Sequence, residues 1–159
     1  MSTFVFSSKE ELLEQAEKDR ACEEGLLWAN DKDSLESILK EIPIKYRIWC
    51  LKQGYYQFLD DCVWEELDGW YWSNLLSSQP QFSEFCIWGK LSGFNWSILL
   101  SEQPQLSKFC SYWENLDGWD WSNLLYYQPQ FSEYCDWKKL IVLDWTYLLS
   151  KQPQFEIFR

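Results

Sequence analysis

One periodicity governs this sequence. Trp64, Trp88, Trp113 and Trp137 follow one another at steps of 24, 25 and 24 residues, and Trp72, Trp96, Trp121 and Trp145 keep the same steps. Pro80, Pro104, Pro129 and Pro153 run in register with them, each inside a Gln-Pro-Gln string completed by Phe82, Leu106, Phe131 or Phe155. Leucine pairs precede the prolines, at 75/76, 99/100, 124/125 and 148/149. A fixed period of this length specifies an array of small units that cannot bury their apolar faces alone and must stack on their neighbours.

Within a unit, Trp121, Leu124 and Leu125 stand at i, i+3 and i+4, the spacing of one helix face. The short polar residues before the second tryptophan, Asn95, Asp120 and Asp144, suit an N-cap, so the first helix of the unit is expected to begin there. The residue before a proline is driven out of the α region, which ends that helix at Gln128. Pro129 then opens a second helix at its first position, with Phe131, Tyr134 and Cys135 on its apolar face. From Trp137 to Leu140 the apolar residues are three apart, which fits a 3₁₀ turn. A leucine-rich β arrangement is the competing architecture for repeats of this size. It lacks support here, because no unit alternates apolar and polar residues and a proline interrupts each regular segment. The fold class expected is all-α: a short α-solenoid of four helix-turn-helix repeats of about 24 residues, with 3₁₀ turns, behind an N-terminal helical cap.

The organisation reads as a cap over residues 1–43, a half repeat over 44–61 and the four repeats over 62–159, packed as a single domain. Ser8-Lys9-Glu10-Glu11 forms a capping box before a helix to about residue 18. Ala21 to Ala29 supplies a second helix, and Asp33 caps a third over Ser34–Glu41. In the fourth repeat Val142 replaces the glycine found at Gly69, Gly93 and Gly118, so its local turn is expected to differ. Arg159 falls where earlier repeats carry a cysteine, and its charge is expected to close the stack against water.

Composition removes most chemistry. The chain has no histidine, so a Ser-His-Asp or Cys-His site is impossible. It carries no phosphate-binding glycine motif. Its six cysteines include no C-x-x-C pair. Cys62, Cys86, Cys110 and Cys135 sit at equivalent positions of stacked units, roughly 8–10 Å apart by helix packing, which is too far for a disulfide. They read as buried thiols of a reducing compartment. No apolar run approaches the 18 residues of a membrane span, and no signal peptide opens the chain. No catalytic residue, cofactor or metal is expected.

Net charge is −11. Residues 1–43 carry five basic and eleven acidic side chains, residues 44–61 three and two, and residues 62–159 six and twelve. Such a field repels nucleic acid and draws a basic protein, or the protein part of a nucleoprotein complex. Recognition belongs where equivalent positions differ. Glu65-Glu66 becomes Gly89-Lys90, Glu114-Asn115 and Lys138-Lys139, and Ser77-Ser78 becomes Ser101-Glu102, Tyr126-Tyr127 and Ser150-Lys151. The candidate partner-binding residues are accordingly Glu65, Glu66, Asp68, Glu114, Asp117, Trp119, Asp120, Tyr126 and Tyr127, in which rings and carboxylates together suit arginine or lysine.

The unit W-x-x-L-x-G-x-x-W-S-x-L-L-x-x-Q-P-Q-F, over residues 62–159, resembles Trp-rich tandem repeats in uncharacterised proteins of bacteria, phages and mobile elements. Cys22-Glu23-Glu24-Gly25-Leu26-Leu27-Trp28-Ala29 is similar to an opening found in putative immunity proteins. The resemblance implies phage or mobile-element biology in a bacterial cytosol and carries no activity with it. Joined to the acidity, it frames the expectation of a non-catalytic inhibitor of a basic nucleic-acid-handling effector, as a phage anti-CRISPR-type blocker or a toxin immunity protein. An adaptor or assembly protein acting through aromatic surfaces is the alternative.

Overall fold

The computed structural model describes residues 4–159. Their regular structure is all helical, with no strand among the described residues, and the chain divides into two compact bodies between Glu66 and Leu67. The half repeat and the first tryptophan turn, Trp64–Glu66, therefore go with the N-terminal helices.

The N-terminal body holds α1 (Lys9–Lys18), α2 (Glu23–Asn30), α3 (Leu35–Glu41) and α4 (Ile44–Gln53). Ser8 caps α1 by accepting the Glu11 N–H at 3.2 Å. The third helix is capped by Ser34, which accepts the Ser37 N–H, and not by Asp33 as the sequence suggested. A serine in extended backbone can reach the third amide, and Asp33 lies one residue too early. Leu12, Ala16, Ile38, Ile42, Ile48, Leu51 and Phe58 make the core. Arg47 is buried among them with its guanidinium donating to the Phe58 and Leu39 carbonyls, both at 2.8 Å, which satisfies a charge that burial alone would penalise. Gly54, at φ 89°, closes α4 in the left-handed region that glycine enters without steric cost.

The C-terminal body is a repeat solenoid of α5 (Gly69–Ser78), α6 (Gly93–Glu102), α7 (Gly118–Tyr127) and α8 (Val142–Leu149). Two expectations are corrected here. Each helix starts three residues before the position assigned from sequence. Asp117, not Asp120, is the N-cap of α7: its carboxylate accepts the Asp120 N–H at 2.9 Å, and Asp120 returns the contact by accepting the Asp117 N–H at 3.1 Å. Ser92 and Asn95 form the same reciprocal box at α6. The second correction concerns the proline segments. Pro80–Phe85, Pro104–Phe109, Pro129–Tyr134 and Pro153–Phe158 are 3₁₀ helices, not α-helices, as the i→i+3 bond from the Phe131 N–H to the Gln128 carbonyl shows. The 3₁₀ turn at Trp137–Lys139 forms as expected.

Rings set the interior of each unit. Trp113 lies between Trp121 and Tyr134, with centroids 5.8 and 4.8 Å away and planes within 15°. Trp88 takes the same place between Trp96 and Phe109, and Trp137 between Trp145 and Phe158. The buried indole N–H groups of Trp96 and Trp121 have no hydrogen-bond partner, so stacking and apolar burial alone hold those rings.

Neighbouring units are locked by small residues and by glutamines. A Cβ on Gly118 would overlap the Lys139 carbonyl and the Asp144 carboxylate of the next unit, and Gly69 and Gly93 face their own neighbours in the same way. The glycine is there for close approach of the next unit. Val142 has no such neighbour and is 69 % exposed, while the α8 N-cap keeps the extended geometry of the other units (φ −90°, ψ 175°). The turn of the fourth unit is thus not different; only its load is. Ser73, Ser97 and Ser122 are fully buried, and Thr146, their counterpart, is exposed. Gln103, Gln128 and Gln152 donate to the carbonyls of Ser77, Ser101 and Tyr126 in the preceding helix, the last at 3.0 Å. The second glutamine of each Gln-Pro-Gln string donates to the first and fixes its orientation, as Gln130 does to Gln128 at 2.8 Å. Lys90 and Lys139 donate to the Leu67 and Leu116 carbonyls, both at 2.9 Å. Arg159 does not close the fourth unit with charge. It is exposed beside Glu156, while Ile141, Val142, Leu143 and Ile157 remain exposed and apolar.

Candidate protein-binding face

Burying Trp121, Leu124 and Leu125 on one side of α7 leaves Trp119, Asn123, Tyr126 and Tyr127 on the other, the stripe that a 3.6-residue period sends outward. The equivalent stripes are Trp70, Asn74, Ser77 and Ser78 on α5, and Phe94, Ile98, Ser101 and Glu102 on α6. On α8 and just beyond it they are Leu143, Tyr147, Ser150 and Lys151. Successive helices pack side by side, so the stripes make one face about 15 Å by 25–30 Å, the scale of one side of a modest interface. Only Glu102 and Lys151 of these residues are charged. Rings share the rest with serine, asparagine, Ile98 and Leu143, and the hydroxyls of Ser78, Ser101 and Ser150 are turned back to carbonyls of their own helices. Trp70, Phe94 and Trp119 follow one another along one edge at 53 %, 46 % and 48 % exposure.

The rings converge at α7–α8. Tyr147 stacks on Tyr126 at 4.6 Å with planes 15° apart and meets Trp119 at 5.2 Å. Tyr127 stands edge-on to Tyr126 at 4.9 Å. Burial, and a hydrogen bond with the Tyr127 hydroxyl, raise the pKa of the Tyr147 phenol above its ordinary value. The Lys151 ammonium lies 4.6 Å from the Tyr126 ring and 5.0 Å from that of Tyr127.

The carboxylates are distributed otherwise than the sequence suggested. Asp68 and Asp117 are exposed N-caps at one edge of the face, and Glu114 is exposed on the Trp113–Asn115 turn. Asp120 is not at the surface: it is 5 % exposed, held in the capping box and against Gly93. Desolvation raises its pKa above the usual carboxylate value, the mark of a charge held in the interior. Glu65 and Glu66 are exposed on the turn that ends the N-terminal body. Of the nine candidate residues, then, the structure gathers Trp119, Tyr126 and Tyr127, sets Asp68, Asp117 and Glu114 at exposed cap and turn positions, and withdraws Asp120. Trp70, Phe94 and Tyr147 were missed from sequence. The signal was available, since each lies on the side of its helix opposite the Trp-Leu-Leu triplet.

The six cysteines are free, and burial pushes the thiols of Cys86, Cys110 and Cys135 up to about 12, 11 and 12, which leaves them protonated and unreactive. Among the described residues there is no group of three or more cysteine, aspartate or glutamate side chains placed to hold a metal, and no helix long and apolar enough to cross a membrane. Comparison with known proteins finds no family model, no curated protein and no solved structure that matches this chain.

Proposed function

We propose that the chain is a non-catalytic protein-binding module that engages a basic protein through the α5–α8 face and acts as an inhibitor of a basic nucleic-acid-handling effector. The observation that carries the reading is the face itself: the exposed rings Trp70, Phe94, Trp119 and Tyr127 on a surface nearly free of charge, on a chain whose net charge is −11. The two parts have separate work. The acidic field steers a basic partner and speeds the encounter, and the aromatic face supplies contact area that the field cannot. Asp68 and Asp117, the N-caps of α5 and α7, give a partner's lysines and arginines exposed acceptors at the edge of the face, and Glu114 adds a third on its own turn. A toxin or a host defence nuclease has the positive surface such a module requires.

The test is affinity capture from the native cell at low and high salt, with the wild type and with Trp119→Ser/Tyr127→Ser. A basic partner held through this face is retained less at high salt and is lost with the variant. Capture that ignores ionic strength contradicts charge-led binding.

A second reading is favoured by the near neutrality of the face, which suits an adaptor or assembly protein that pairs with an uncharged surface or with its own copy. Size-exclusion behaviour across a hundred-fold concentration range separates the two, because self-assembly shifts the elution volume and an inhibitor of another protein does not.

A further inference from the structure

Lys151 is the one lysine or arginine on the aromatic face, and it forms no ion pair among the described residues although the chain is strongly acidic. Its ammonium rests on Tyr126 and Tyr127 instead. Both halves of this contact are departures from the repeat. The positions of Tyr126 and Tyr127 are Ser77-Ser78, Ser101-Glu102 and Ser150-Lys151 in the other units, and the position of Lys151 is Ser78, Glu102 and Tyr127. A pair of rings enters in the third unit, and a cation enters beside it in the fourth. Tyr147 backs the pair by stacking on Tyr126, so the ring that bears the cation is itself held in place.

We infer that Tyr126, Tyr127 and Tyr147 form a cation-binding site for an arginine side chain of the partner, and that Lys151 is a tethered occupant which the partner's guanidinium displaces. This rests on the reading of a basic partner given above and names the group the partner inserts. Arginine is the occupant because guanidinium is planar, stacks on ring faces and is less strongly hydrated than ammonium. Exchanging lysine for arginine returns the better-hydrated ion to water and leaves the better-stacking one on the rings. The tether has a second consequence. Lys151 competes with the incoming cation, so the site discriminates against isolated weak cations and yields only to a segment that brings several contacts at once.

The experiment measures binding of fluorescent deca-arginine and deca-lysine peptides by anisotropy, at low and moderate salt. The proteins are the wild type, Lys151→Ser, Tyr126→Ser/Tyr127→Ser and, as a control for net charge alone, Lys40→Ser in the N-terminal body; thermal unfolding of each shows that it folds. Expected are an affinity for deca-arginine above that for deca-lysine, a gain of about five-fold for Lys151→Ser and less than about two-fold for Lys40→Ser. The tyrosine double variant should lose the preference for arginine. If deca-arginine binds but Lys151→Ser and Lys40→Ser behave alike, the tethered-occupant inference is overturned while the basic-partner reading stands. If no variant binds deca-arginine, both fall. Should the tyrosine double variant fail to fold, the comparison of Lys151→Ser with Lys40→Ser decides alone.

Discussion

The third and fourth repeats share their fold and differ in what lies beside them. Gly118, Ser122 and the Asp117 cap of the third unit become Val142, Thr146 and Ile141 in the fourth, with no change in backbone at the helix start. In the third unit the first two are buried against the next helix; in the fourth their counterparts are exposed. The comparison teaches that the small residues of the motif encode the junction between units, whereas the tryptophans, leucines and proline encode the unit. It also separates two kinds of tryptophan on one helix. Trp121 is stacked and buried, and Trp119, two residues before it, is half exposed.

The largest effect should come from that last contrast. Trp121→Ala is expected to lose about 3–5 kcal/mol of stability, the range for deleting a buried ring, while Trp119→Ser stays within about 1 kcal/mol. Urea unfolding of both checks it. Next comes the junction. Gly118→Val forces a side chain against the Lys139 carbonyl and is expected to cost about 3 kcal/mol, whereas the reverse change, Val142→Gly, stays within about 1 kcal/mol because nothing packs there. Equal costs at the two positions would erase the distinction between unit and junction. Gln128→Ala removes the donor to the Ser101 carbonyl and is expected to cost about 1 kcal/mol by thermal unfolding.

The smallest effect concerns Asp120, whose counterpart in the second repeat is Asn95. Burial raises its folded-state pKa above the unfolded value of 3.8, so the ionised carboxylate costs stability at neutral pH. That cost is relieved as pH falls through the raised value toward the unfolded one, where the folded protein holds the extra proton. Asp120→Asn is therefore expected to be at least as stable as the wild type at pH 7, and its advantage to shrink as the pH is lowered through that window. Denaturant midpoints at a series of pH values read this out.

Much of this molecule is written in its period. The register of Trp64 to Trp137, the leucine pairs and the prolines gave the units, the all-α class and the 3₁₀ turn at Trp137. Local geometry was harder to read. Asn95, Asp120 and Asp144 look like caps because they precede a tryptophan, but a capping box places a polar residue at both its first and fourth positions, and the helix begins at the first. Phe131 and Tyr134 are three apart, the same cue that identified the Trp137 turn, yet the proline before them suggested an α-helix start. Gly69, Gly93 and Gly118 look like turn residues in the sequence because close approach by a unit 20 or more residues away leaves no local signal. Trp119, Tyr126 and Tyr127 stand out in sequence as departures from the repeat, whereas Tyr147 carries only the signal of its place opposite the Trp-Leu-Leu triplet, and its stacking on Tyr126 of the preceding helix leaves no local trace.

The central claim is that the packed and exposed rings of one helix do separate jobs. It is tested most directly by measuring, on one preparation of Trp119→Ser/Tyr126→Ser/Tyr127→Ser, both the thermal unfolding midpoint and the capture of the partner from the native cell. Expected are a midpoint within a few degrees of the wild type and loss of capture. A large fall in the midpoint with capture intact would contradict it.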